Sequence, residues 1–322
     1  MSAHRLKLVV TRRLPASVEA RMAEAFDAEL NPADRPFSRD ELAAAMARAD
    51  ILAPAVTDRI DADLIAGAGP QLRLIANFGV GVDNIDLAAA RARGIAVSNT
   101  PGVLTDDTAD IVLALILMSL RRLGEGERLV RAGGWTGWGP TDMLGRGLSG
   151  KILAIVGMGR IGRAVARRAS AFGLVVHYHN RTRLDPAKEE GALYAPDLDQ
   201  MLAGADIVSV NAPYGPATHH LIEARRLALL KPTAHLINAA RGAIVDQEAL
   251  IAALASGRLA GAGLDVYPNE PHVDPRLVAM RQVVLIPHMG SATEESRTAM
   301  GMKVFENALA LAEGRPLPDR VV

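Results

Sequence analysis

The chain contains no cysteine among its 322 residues. Disulfides, thiolate catalysis and Cys-ligated metal centres are therefore excluded. Aromatic residues are scarce, at 3%. A core must then come from Ala, Leu, Val and Ile, which suits buried strands beneath amphipathic helices. Neither sign of charge is in excess, because 36 Lys and Arg balance 36 Asp and Glu. A neutral chain is a poor electrostatic footprint for nucleic acid or an anionic membrane surface. Long apolar runs are missing too. The longest, 111–118, falls far short of the ~20 residues that span a bilayer. The N-terminal stretch 1–15 carries basic residues, but its only apolar run is Leu8-Val9-Val10, too short for a signal-peptide core. We expect a soluble, cytoplasmic protein that binds neither nucleic acid nor membrane.

What is present is an alternation. Short apolar runs at 7–11, 50–53, 72–76, 95–98, 152–156, 174–178, 207–210, 235–238, 263–265 and 283–286 read as strands. Between them lie Ala-rich segments of helical period, such as 17–26 and 163–172. This alternation predicts doubly wound parallel sheets, and the length corresponds to about two domains. A long apolar helix is expected over 105–123. After it comes Gly133-Gly134-Trp135-Thr136-Gly137-Trp138-Gly139-Pro140, a loop without periodicity, and composition alone would cut the chain there. A last helix is expected over 293–313, stopped by Gly314 and Pro316.

One run carries a phosphate cradle. Lys151-Ile152-Leu153-Ala154-Ile155-Val156 leads straight into Gly157-Met158-Gly159-Arg160-Ile161-Gly162 and a helix. GxGxxG alone is a weak signal; between a strand and a helix it is strong. Gly157 serves the tight turn, Gly159 the approach of a pyrophosphate, and Gly162 close packing of helix on strand. The helix N-terminus offers free N–H groups and partial positive charge to the anion. Where an NAD site has an acid for the ribose 2′-OH, roughly twenty residues on, this chain has His179, followed by Asn180, Arg181, Thr182 and Arg183. Arginines there favour a 2′-phosphate, so NADP(H) is expected over NAD(H), with NAD(H) still possible. His177 and His179 alternate on one strand face, but without a carboxylate pattern they do not make a metal site.

Three further segments follow predicted strands, where an open α/β sheet keeps its binding crevice. They bear Arg241, Glu270 and His288. Reduction of a 2-oxo acid needs a hydride from a nicotinamide and a proton from the protein. His288 can give that proton near neutral pH, Glu270 can favour and orient the imidazolium, and Arg241 can hold the carboxylate and polarise the carbonyl. Singly, Arg241 also reads as a surface ion-pair partner, Glu270 as a turn residue and His288 as a strand-end histidine. Their recurrence at successive strand ends favours the catalytic reading.

With these motifs, the sequence resembles the D-isomer-specific 2-hydroxyacid dehydrogenase family. The matching segments are the Gly157 to Gly162 loop, Asn238-Ala239-Ala240-Arg241-Gly242, Gly263-Leu264-Asp265-Val266 with Glu270-Pro271, Pro287-His288-Met289-Gly290-Ser291-Ala292-Thr293, and Asn77-Phe78-Gly79-Val80-Gly81-Val82-Asp83-Asn84-Ile85-Asp86. The resemblance covers almost the whole chain. It implies two doubly wound parallel-sheet domains, with a Rossmann cofactor domain (100–290) inserted into a discontinuous flavodoxin-like substrate domain (1–99 plus 291–322). It implies Arg241, Glu270 and His288 as the catalytic set, and the backbone at Val80 and Gly81 as the receiver of the substrate carboxylate. It implies cofactor contacts at Thr105, Gly157, Gly159, Arg160, Ile161, Gly162, Asn180, Arg181, Thr182, Ala212, Pro213, Ala239, Asp265, His288 and Gly290. For Thr105 the plainer alternative is a helix cap. No metal is implied. A homodimer is, built by the 105–123 helix and the loop after it.

Trp135-Thr136-Gly137-Trp138-Gly139-Pro140 and His179-Asn180-Arg181-Thr182 look most like the glyoxylate/hydroxypyruvate reductases of that family. In them, a tryptophan at the Trp138 position reaches the partner's active site; the plainer alternative is a dimer or core anchor. A departure is Asn211, where many members have His. Two rivals remain at this point: an NADH-dependent dehydrogenase for a bulkier 2-oxo acid, and a dinucleotide-sensing corepressor that shares the fold.

Overall fold

The computed structural model describes residues 5–322, so the first four residues of the N-terminal stretch lie outside the described residues. In chain order the first elements are β1 (Lys7–Val10), α1 (Ala16–Ala25), β2 (Asp27–Glu29), α2 (Arg39–Arg48), β3 (Ile51–Ala53), α3 (Ala62–Ala66), β4 (Leu74–Ala76), α4 (Leu87–Ala92) and β5 (Ala96–Ser98). There follow α5 (Thr105–Arg121), α6 (Leu123–Arg131), β6 (Ile152–Val156), α7 (Arg160–Ala171), β7 (Val175–His179), β8 (Leu193–Tyr194), α8 (Leu198–Gly204), β9 (Ile207–Val210), α9 (Ala224–Leu227) and β10 (His235–Asn238). The chain ends with α10 (Gln247–Ala255), β11 (Gly261–Leu264), α11 (Pro275–Ala279), β12 (Val283–Leu285) and α12 (Glu294–Ala312). They form two compact units. One takes the chain up to Leu104 together with Ala292–Val322, and the other is Thr105–Ser291. Loop 133–140 joins two elements of the second unit, so no division falls at the composition-based cut.

The first unit holds a five-stranded parallel sheet in the order β2-β1-β3-β4-β5, the flavodoxin-like order. The chain end returns to its β5 edge: Val321 donates its N–H to Val97 at 2.7 Å, and Val97 donates to Val322 at 3.2 Å. Helix α12 begins where Thr293 caps it, its side chain accepting the Ser296 N–H. It stops where Gly314 takes a φ of 68°, as its sequence predicts.

The second unit holds seven parallel strands in the order β12-β11-β10-β9-β6-β7-β8. Chain order reverses between β6 and β9, which is the switch point of a doubly wound sheet. Both faces are covered, so strands read as unbroken apolar runs. In β6, Leu153 and Ile155 face a core with α5 and α7, through Leu115, Ile116 and Val165. Ala154 and Val156 face the opposite core with Val208, Val210 and Leu236. Each fully buried Leu or Ile here contributes roughly 1.5–3 kcal/mol.

Ten strands were expected and twelve are present among the described residues. The two additions, β2 and β8, are edge strands of three and two residues. Strands so short show no periodicity; β2 reads Asp-Ala-Glu, and it is recruited by pairing with β1.

A buried polar pair ties α5 to the sheet. His235, at the start of β10, lies with Nδ1 2.8 Å from Ser119 Oγ. Burial, with the nearby Arg146 and Lys151 charges, pushes the His235 imidazole down to about 4. The folded state thus favours neutral His235. Its contribution is complete above the unfolded value near 6.5 and is lost as pH falls from there toward 4. We expect the melting temperature to decline across that window, with about 3 kcal/mol at stake, and to decline less in His235→Gln. Equal slopes in the two proteins would remove His235 as the cause.

Candidate active site

The phosphate cradle forms at the switch point. Gly157 has a φ of 97°, which side chains other than glycine avoid. A Cβ there would also lie 2.5 Å from the Ala212 nitrogen. The turn after β6 and the turn after β9 thus touch through Gly157. At Gly162 a Cβ would sit 2.3 Å from the Gly157 oxygen, so α7 packs directly on the strand end. At Gly159, the cap of α7, a Cβ would meet nothing within 4 Å. That open side lies where a helix N-terminus receives an anion. Arg160 is exposed and Ile161 half-buried at the start of α7.

The loop after β7 is braced. Asn180 Oδ1 accepts the Met158 N–H at 2.7 Å, joining this loop to the glycine turn. Arg183 donates from Nε to Glu189 at 2.8 Å and lies over the Tyr194 ring. Glu189 also accepts from the Tyr178 hydroxyl at 2.7 Å. Arg183 is therefore committed within the protein. Arg181 is exposed and has no hydrogen bond or ion pair among the described residues, and Thr182 beside it is exposed. His179 has Nδ1 2.9 Å from the Ala195 carbonyl. Among the described residues, no group of three or more His, Asp or Glu could hold a metal ion.

Strands β10, β11 and β12 are neighbours, so the loops at their carboxyl ends lie side by side. Arg241 follows β10. Asn238 shapes its loop, accepting the Ala240 N–H at 3.1 Å and donating to the Arg241 carbonyl at 2.9 Å. At Gly242 a Cβ would lie 2.1 Å from the Tyr267 carbonyl carbon. This contact fixes the Arg241 loop against the loop that carries Glu270.

Glu270 and His288 meet: His288 Nδ1 is 2.7 Å from Glu270 Oε2. The other carboxylate oxygen accepts the Tyr267 N–H at 3.0 Å. Burial pushes the Glu270 carboxyl up. The His288 contact and charge, the Tyr267 N–H and the Arg241 guanidinium outweigh it and hold the group below its ordinary value. Glu270 is thus an anion through the neutral range, and it engages Nδ1 and leaves Nε2 as the outward ring nitrogen.

His288 itself has a φ of 51°, an uncommon conformation for a non-glycine residue. Buried Asp265 enforces it. Its carboxylate accepts the Met289 N–H at 2.5 Å and the Gly290 N–H at 2.9 Å, and its carbonyl accepts the His288 N–H at 2.9 Å. Burial is the largest influence on this carboxyl and leaves it above its ordinary value despite the two N–H donors. The Tyr267 hydroxyl donates to the Leu264 and Ile286 carbonyls at 3.2 and 3.0 Å, tying the ends of β11 and β12. Sequence reading missed the bracing roles of Asn238 and Tyr267. Asn238 stands inside a motif quoted above and Tyr267 directly follows one, but neither has reactive chemistry to draw notice.

In the first unit, the 77–82 turn follows β4. The Val80 and Gly81 carbonyls accept from Asn99 and Asn77 at 2.8 and 2.9 Å. In the second unit, Thr105 opens α5 and is half-buried, and Trp138 is 84% exposed.

Residues 113–290 match the family described as D-isomer specific 2-hydroxyacid dehydrogenase, NAD binding domain. A glyoxylate reductase of Thermococcus litoralis is 44% identical over 320 residues, covering 98% of this chain and 96% of that protein. The chain belongs to the D-isomer-specific 2-hydroxyacid dehydrogenases. Among solved structures, a glyoxylate reductase from Paecilomyes thermophila is similar with a TM-score of 0.89 and 33% identity, over 99% of both chains. An NADPH-dependent glyoxylate/hydroxypyruvate reductase from Sinorhizobium meliloti, in complex with NADP and malonate, has a TM-score of 0.87 and 35% identity, over 99% of this chain and 97% of that one.

The matched NAD-binding domain lies within the second unit, and residues there fit a nicotinamide cofactor. The open face of Gly159 and the α7 N-terminus suit a pyrophosphate. Ala212 is buried against Gly157, and exposed Pro213 follows it. Ala239 is half-buried at the end of β10, and Gly290 is buried beside Asp265. At the Asn211 departure, the amide donates to Ser209 Oγ at 2.8 Å, a contact within its own strand end.

Proposed function

We propose that this dehydrogenase reduces glyoxylate and hydroxypyruvate to their 2-hydroxy acids, with NADPH preferred to NADH. The observation that carries the reading is the His288–Glu270 pair on loops adjoining that of Arg241. The names of its full-length relatives support the substrate class. In this reading the Val80 and Gly81 backbone receives the substrate carboxylate, and Arg241 holds the carboxylate and polarises the 2-oxo group. The bound nicotinamide supplies the hydride. His288 passes a proton from Nε2 to the carbonyl oxygen, and Glu270 stabilises the imidazolium that precedes the transfer. Thr105, Ala239, Asp265 and Gly290 line the nicotinamide end. Gly157, Gly159, Arg160, Ile161, Gly162, Ala212 and Pro213 surround the pyrophosphate. Asn180, Arg181 and Thr182 take the 2′-phosphate, with Arg181 as its uncommitted cation. The first unit is the substrate-binding domain and the second the cofactor domain.

The dimer belongs to the same reading. Helix α6 has no buried residue, and Leu123, Val130, Trp135, Trp138 and Leu144 are exposed large apolar side chains of the second unit. A second copy of the chain covers them, and Trp138 enters the partner's active site.

Three outcomes are expected. With glyoxylate or hydroxypyruvate, NADPH is oxidised fast and NADH slowly, and Arg181→Glu weakens NADPH binding far more than NADH binding. Equal losses for both cofactors would discard the 2′-phosphate role, and no oxidation with either would discard the reaction. His288→Ala lowers turnover by about a hundredfold or more while cofactor binding survives; retained turnover would remove His288 as the proton donor. Sedimentation gives twice the chain mass, and a monomer at micromolar concentration would end the dimer reading.

A further inference from the structure

The turn 79–82 in the first unit contains three successive peptide groups whose oxygens are all held. The Gly79 carbonyl accepts the Thr100 N–H at 3.1 Å. The Val80 carbonyl accepts the Asn99 amide at 2.8 Å, and the Gly81 carbonyl accepts the Asn77 amide at 2.9 Å. A trans peptide is planar, with its N–H opposed to its C=O. Holding those oxygens therefore aims the N–H groups of Val80, Gly81 and Val82 away from their anchors. Among the described residues, none of these three N–H groups has a hydrogen-bond partner. A donor on a carbonyl also polarises the N–H of the same peptide, so the anchors strengthen the amides they aim.

We infer that Asn99 and Asn77 are positioning residues for substrate binding. They turn and polarise the Gly81 and Val82 N–H groups for a carboxylate, so the receiving row has three amides. This rests on the proposed role of the Val80 and Gly81 backbone. Asn77 is itself oriented: its Oδ1 accepts the Asn84 amide at 3.2 Å, and Asn84 also donates to the Asp58 carbonyl at 3.1 Å. A hydrogen-bond chain therefore runs from the interior of the unit to the amide row. Asn77 is fully buried, whereas Asn99 is half-buried and anchored by its own backbone N–H to Asp319. Asn99 is the residue to test.

The probe is oxamate, titrated calorimetrically into the full chain holding reduced nicotinamide cofactor. Asn99→Ala is expected to weaken oxamate binding about tenfold, the range of one net hydrogen bond, and to raise KM for glyoxylate more than it lowers kcat. Cofactor affinity stays unchanged. Asn99→Asp keeps the shape but replaces the donor with an anion, so it weakens oxamate further than Asn99→Ala. A packing role gives the reverse order of the two variants and would overturn the inference. Gly81→Pro removes one receiving N–H outright and tests the underlying reading. If Gly81→Pro loses oxamate while Asn99→Ala binds within twofold of the unaltered chain, the positioning role is wrong and the carboxylate turn stands. If Gly81→Pro binds oxamate normally, both are wrong.

Discussion

The Asp265 carboxylate accepts the N–H groups of Met289 and Gly290 while its own carbonyl accepts that of His288. These bonds bend the chain after β12 back over the end of β11 and hold His288 in a left-handed conformation. That conformation costs free energy, and such strain persists only where surrounding contacts over-determine it. Here a buried anion with two backbone donors does so. The reversal delivers the His288 ring to Glu270, and Glu270 in turn takes the Tyr267 N–H from the loop against which Gly242 packs. Arg241 is therefore placed by the same chain of contacts as His288. Two neighbouring parallel pairings, β10 with β11 and β11 with β12, make the sequence of contacts possible.

Burial acts on three titratable groups here with different results. Glu270 is held ionised because its partners outweigh desolvation. Asp265 is pushed up because even two N–H donors do not outweigh it. His235 has only a serine hydroxyl and nearby cations, so it is driven to its neutral form. Number and sign of partners decide the outcome, since desolvation opposes the charged form in every case. Of the three, Glu270 alone is a carboxyl held below its ordinary value, and its partner is another titratable ring at the end of a strand.

Much of this was legible in the residues, for identifiable reasons. Strands buried on both faces announce themselves as apolar runs, and the glycine loop is readable because each glycine answers a separate steric demand: a positive φ at Gly157, an open side at Gly159 and a helix pressed on a strand at Gly162. Arg241, Glu270 and His288 were legible because each falls just past a strand. The two missed strands were not, since β2 and β8 depend on neighbours rather than on their own composition. Nor were the braces. Asn238, Tyr267, Asn77 and Asn99 act through hydrogen bonds to backbone atoms, and a backbone partner leaves no mark in side-chain sequence.

The two arginines after β7 make the same point about charge. In sequence, Arg181 and Arg183 are equivalent cations in a basic loop. In the fold, Arg183 turns back to Glu189, which also takes the Tyr178 hydroxyl, and its guanidinium lies over Tyr194. That clasp removes one positive charge from the loop's outward field and stiffens the segment that follows Asn180. Asn180 is fastened in turn to the glycine turn through Met158. A single unpaired guanidinium on a braced loop is a more selective receiver than two mobile ones, because less rotamer freedom is lost on each contact and one fixed charge specifies where the anion must sit. In the proposed reading, selectivity for a phosphate depends as much on what Glu189 withholds as on what Arg181 offers.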